Sequence, residues 1–126
     1  MTLVLDSGAL VAVERGDRGT IALIKGELSA GRTPLTHGGV IGQVWRGGAG
    51  RQASLARLLP GLDIAPLDAA LGRRAGSLLA KTRTPDVVGA ALVLLAADGD
   101  SLLTSDPNDL AMLAAAAGVH IDVVRV

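Results

Sequence analysis

TLVLDSGAL (residues 2–10) and SLLTSDPNDL (residues 101–110) decide the fold. In each, a short apolar run stops near an aspartate and a helix-forming segment follows. Continuous apolar runs this short suit strands buried on both faces, which belong to parallel sheets covered by helices on either side. Asp6 follows the first run directly, and Asp106-Pro107 opens the helix after the second.

Working outward, the remaining segments alternate in the same way. Ala9 to Arg15 and Thr20 to Ser29 read as helices split by Gly16-Asp17-Arg18-Gly19. Thr33 to Thr36 reads as a strand. Gly39 to Arg46 reads as a helix closed by Gly47-Gly48, and Arg51 to Leu59 as another stopped by Pro60-Gly61. Asp63 to Leu67 is a strand, and Asp68 caps a helix to Lys81. Thr84-Pro85-Asp86 opens a helix to Ala97, with Thr84 as N-cap. The helix from Asp106 ends at Gly118, and His120 to Val126 is the last strand. Strands alternating with helices predict an α/β, three-layer domain over residues 1–126 with a parallel sheet of four or five strands.

Composition narrows the chemistry. The chain has 126 residues, with no Cys, Phe or Tyr and a single Trp, Trp45. Its core is therefore aliphatic, and thiolate metal sites and thiol catalysis are excluded. The longest apolar run, Ala90 to Ala97, is far short of a membrane span, and no secretory signal is evident, so the expected setting is the cytoplasm. Net charge is zero, but its distribution is uneven. Seven basic residues against two acidic ones fall between Arg46 and Arg83, and six aspartates against one arginine fall from Asp86 onward. Two readings fit that arrangement: a phosphate-binding strip, with Arg46 and Arg51 its first members, beside an acidic pocket, or exposed helix faces charged only for solubility.

In parallel sheets ligands bind beyond the carboxyl ends of the strands. Asp6 and Asp106 fall there, and Asp86 starts a helix near the same edge. Asp109, three residues into the last helix, joins them; each also suits a helix start. Clustered carboxylates repel unless a cation sits among them, and oxygen-only ligation favours Mg²⁺ or Mn²⁺. Such an ion polarises a phosphoryl oxygen and activates water, which is the chemistry of phosphodiester hydrolysis. His37 and His120 stand in no metal spacing and read as surface or satisfied buried residues. Neither a dinucleotide fingerprint nor a phosphate loop is present.

Asp6-Ser7-Gly8-Ala9-Leu10, Gln43-Val44-Trp45-Arg46-Gly47-Gly48 with Arg51-Gln52, Asp86-Val87-Val88 and Leu103-Thr104-Ser105-Asp106-Pro107 together resemble PIN domains, and look most like VapC toxins of bacterial toxin–antitoxin pairs. The resemblance spans nearly the whole chain. It implies a Mg²⁺-dependent endoribonuclease, neutralised by a VapB-like antitoxin and often homodimeric, with acids at four places. Asp6 matches the first, and Asp106, with Asp109 nearby, the last. Gln43 falls where the second is expected, with Glu14 as an alternative accessory acid. The third falls at Gly89: either Asp86 serves from one turn away, or an acid is lost and the nuclease weakened. The competing class is a non-catalytic PIN-like module that binds antitoxin or RNA without cutting.

Overall fold

The computed structural model describes all 126 residues. Five strands, β1 (Leu3–Leu5), β2 (Leu35–His37), β3 (Asp63–Ala65), β4 (Ser101–Thr104) and β5 (Asp122–Arg125), form one sheet in the order β3-β2-β1-β4-β5. Every neighbouring pair is parallel. Register is set at the centre, where Leu3, Val4 and Leu5 stand opposite Ser101, Leu102 and Leu103, and the Asp6 N–H donates to the Leu103 carbonyl at 3.0 Å.

Seven helices connect the strands: α1 (Ser7–Glu14), α2 (Arg18–Ser29), α3 (Gly38–Val44), α4 (Ala53–Leu58), α5 (Ala69–Thr82), α6 (Val87–Leu95) and α7 (Pro107–Ala117). The chain steps from β1 to β2 to β3 in one direction, then returns to β4 and continues to β5 in the other. Right-handed crossovers therefore send the two sets of helices to opposite faces. The packing agrees: α1 contacts α2, α3 and α4, whereas α5, α6 and α7 contact one another. Between the layers lies an aliphatic core that includes Leu5, Leu10, Leu92, Leu102 and Leu103, each almost wholly buried.

Several boundaries differ from the sequence reading. β2 is shifted to end on His37, whose ring accepts from the Gly39 N–H and caps α3. α2 starts two residues before Thr20 because Asp17 is its cap. The segment before α4 is a one-turn 3-10 helix, Gly50–Gln52, rather than α-helix. β5 starts at Asp122, not at His120. α6 begins at Val87 with Asp86 as its cap, so Thr84 and Pro85 lie outside it, and it ends two residues before Ala97. Asp68 caps α5 as expected, accepting from the Leu71 N–H at 2.9 Å.

Candidate active site at the carboxyl edge

The point where the sheet reverses direction lies between β1 and β4. The helices after these strands, α1 and α7, leave to opposite faces, which opens a crevice at their carboxyl ends. Asp6 is the cap of α1 and Asp106 the cap of α7, so parallel topology alone brings them to one edge from opposite ends of the chain.

Asp6 is 8% exposed, and both its oxygens are engaged. Oδ1 accepts from the Ser7 N–H at 2.8 Å and Oδ2 from the Thr104 hydroxyl at 2.7 Å. The same hydroxyl accepts from the Asp106 N–H at 2.9 Å. Thr104 thus links the first acid to the backbone of the last. The sequence reading assigned it no role, although its place as the last residue of a buried strand, two before Asp106, is the signal that marks it.

Asp106 and Asp109 are exposed at the start of α7. The Asp106 carboxyl is held above its ordinary value, first by a hydrogen bond with Asp109, then by partial loss of water, then by the negative charges of Asp109, Asp6 and Asp86. Asp106 therefore feels the charges of three other aspartates at this edge. No three acids or histidines are gathered around one point as they stand, so a shared ion would require side-chain rotation. The chemistry of the donor set fits a hard divalent cation: the donors are all carboxylate oxygens, each with a second lone pair free of its present bond, and their mutual repulsion is what a cation relieves.

Asp86 Oδ1 accepts from the Gly89 N–H at 2.8 Å. Gly89 is consequently in the first turn of α6, not in mid-helix. A Cβ at residue 89 would fall on the Asp86 carboxylate. The space where a side chain at 89 would begin is filled by the acid from three residues earlier.

Glu14 and Gln43 belong elsewhere. They line a hollow of about 350 Å³ with Arg46, Arg51 and Gln52, and none of the four aspartates lines it. Glu14 lies at the far end of α1 from Asp6, about 12 Å along the helix at 1.5 Å per residue. It pairs with Arg51 at 3.6 Å. Arg46 folds back on the end of α3, donating to the carbonyls of Gly42, Gln43 and Trp45, whereas the Arg51 side chain is 90% exposed. His120 is exposed, and His37 is wholly buried with both ring nitrogens bonded.

No family model matches the sequence, and no curated protein matches it. Among solved structures, the chain superposes on one from VapBC2 of Rickettsia felis, solved bound to a DNA fragment from the promoter. The TM-score is 0.71 over 98% of this chain and 99% of that one, at 13% identity. The fold is PIN-like. At so low an identity the likeness extends to architecture, and the PIN-like frame accounts for the position of the aspartate edge without fixing its chemistry.

Proposed function

We propose that the chain is a Mg²⁺- or Mn²⁺-dependent endoribonuclease of the VapC toxin kind, restrained by a VapB-like antitoxin in the cytoplasm. The observation that carries this reading is the pairing of Asp6 with Asp106 through Thr104 at the reversal point of the sheet, where the charges of Asp109, Asp6 and Asp86 also bear on the Asp106 carboxyl. Asp6, Asp86 and Asp106 would hold the cation. When bound, it would polarise a phosphoryl oxygen and lower the pKa of an attacking water. Asp109, hydrogen-bonded to Asp106, would keep it oriented. Thr104 would fix the spacing of Asp6 from Asp106. Arg51, with most of its donors in water, is the better placed phosphate contact; Arg46 would first have to release α3. The structural likeness to a VapBC2 chain supports an antitoxin partner, and a homodimer is part of the same reading.

The non-catalytic alternative draws support from two positions: Gln43 brings no charge and lies in the separate hollow, and Gly89 has no side chain. Cleavage of single-stranded RNA in Mg²⁺ or Mn²⁺ separates the two. Metal-dependent cutting that disappears in Asp6→Asn and Asp106→Asn supports the nuclease. RNA binding without cleavage in either metal supports the module.

A further inference from the structure

His37 is wholly buried at the end of β2, at the same edge of the sheet as the aspartates. Its Nδ1 accepts from the Gly39 N–H at 3.0 Å, so that nitrogen carries no proton. In a neutral imidazole the other nitrogen is then the donor, and Nε2 lies 2.9 Å from the Val88 carbonyl. The ring is fully used: one nitrogen caps α3, and the other reaches a helix of the opposite layer. Gly39 leaves room for this, since a Cβ there would stand 2.8 Å from His37 Cε1.

Val88 lies between Asp86 and Gly89, the two ends of the cap that starts α6. The other hydrogen bonds of this turn are local: Thr84 to the Asp86 N–H, Asp86 to the Gly89 N–H, and the backbone bonds of the turn itself. The His37–Val88 bond is the one that ties the first turn of α6 to another element. The connector before it, Arg83 to Pro85, is exposed or half-buried and includes a left-handed residue at Arg83. The connector itself makes only local hydrogen bonds, and what else holds α6 is its packing against α5 and α7.

We propose that His37 is a positioning residue: by holding the Val88 carbonyl it fixes the first turn of α6, and through that turn the Asp86 carboxylate, at the aspartate edge. The inference rests on the metal-site reading for its consequence, while the tether itself is independent of metal.

Two variants separate the ring's two roles. His37→Asn places an oxygen near Nδ1 and keeps the α3 cap, but is too short to reach Val88. His37→Gln places its amide nitrogen near Nε2 and keeps the tether. Two readouts are taken on the full chain: Mn²⁺ affinity by calorimetry, and exchange of the Gly89 amide in metal-free protein. Expected for His37→Asn is a loss of tenfold or more in Mn²⁺ affinity and Gly89 exchange at least tenfold faster, with His37→Gln within about threefold of the parent in both. Unchanged Gly89 exchange in His37→Asn, or equal losses in the two variants, would overturn the proposal. If the parent protein binds no Mn²⁺, the metal reading fails, and the exchange comparison alone decides whether His37 holds the cap.

Discussion

Asp6 and Asp100 are both buried aspartates beside the central strands, 8% and 6% exposed, at opposite ends of the sheet. Asp100, just before β4, accepts from the Thr2 N–H and the Ala97 N–H, each at 2.8 Å. Its neighbour Asp98 accepts from the His120 N–H in the same manner. At the amino edge Asp98 and Asp100 are matched to backbone donors, which absorb their charge. At the carboxyl edge Asp6 has comparable partners, but Asp106 has Asp109 beside it and the charges of Asp6 and Asp86 within range. One edge spends carboxylates on holding loops closed. The other accumulates charge that the fold itself does not neutralise, which is how sites for cations differ from structural caps.

The contrast is broken most severely by asking which edge matters for which property. Asp6→Asn is expected to lower metal-dependent RNA cleavage at least a hundredfold, about 3 kcal/mol of transition-state stabilisation, with a smaller loss of about 1–2 kcal/mol in stability, because the amide oxygen accepts from Thr104 while its NH₂ meets the Ser7 N–H. Asp100→Ala is expected to do the reverse. It orphans two N–H groups that now meet a carboxylate, at a cost of about 2–4 kcal/mol in unfolding free energy, and the cleavage rate of the folded fraction stays unchanged. Denaturant titration and single-turnover cleavage on both variants check this; a rate loss in Asp100→Ala equal to that in Asp6→Asn would erase the distinction between the edges.

A smaller effect sharpens it at Gly89. Alanine there improves helix propensity, yet its Cβ would displace the Asp86 carboxylate. Gly89→Ala should therefore weaken Mn²⁺ binding by about tenfold, or about 1.4 kcal/mol. Gly89→Asp exchanges one acid for another at nearly the same place, so affinity should stay within about threefold of the parent. The other expectation, an acid lost at 89 and a weakened nuclease, predicts the opposite outcome: Gly89→Asp would then raise Mn²⁺ affinity well beyond about threefold, which calorimetry decides.

The smallest effect is titrational. With the Asp109 carboxyl removed in Asp109→Asn, the Asp106 carboxyl should titrate lower, as followed by NMR. The sign for stability follows. A carboxyl raised above its ordinary 3.8 binds its proton more tightly in the fold than in the unfolded chain. Its contribution is thus most favourable at low pH and is lost as pH rises from the unfolded value through the folded one. A divalent cation should offset that loss, and Asp109→Asn should reduce it.

The alternation of elements was legible because short apolar runs such as Leu3–Leu5 and Leu102–Leu103, bounded by helix starts and turns, suit strands covered on both faces. Asp6 and Asp106 followed from topology: a parallel sheet puts every strand end on one edge, so residues 100 apart could be paired without knowing any side-chain position. What could not be read was settled by local competition among caps. Thr84-Pro85 is a valid helix start, and only the bond from Asp86 to Gly89 shows that the later cap won. The fate of Arg46 was hidden for a similar reason: unpaired carbonyls at the end of α3 attract a cation more closely than distant phosphates do. Glu14 and Gln43 entered the candidate set through the resemblance to PIN domains, which gives a residue's place in the chain but not how far down its helix it stands from the strand end.

Trp45 ends α3 with its ring against Gly48, 37% exposed, next to the hollow that holds Glu14 and Arg51. No Tyr or Phe accompanies it anywhere in the chain. The protein's intrinsic emission therefore comes from a single loop and not from the aliphatic core. Fluorescence melting curves will report unfolding through that one position, and a signal change on adding RNA will report events at the hollow, since no intrinsic fluorophore stands at the aspartate edge. Dichroism of the helices is the observable that sees the rest of the fold come apart.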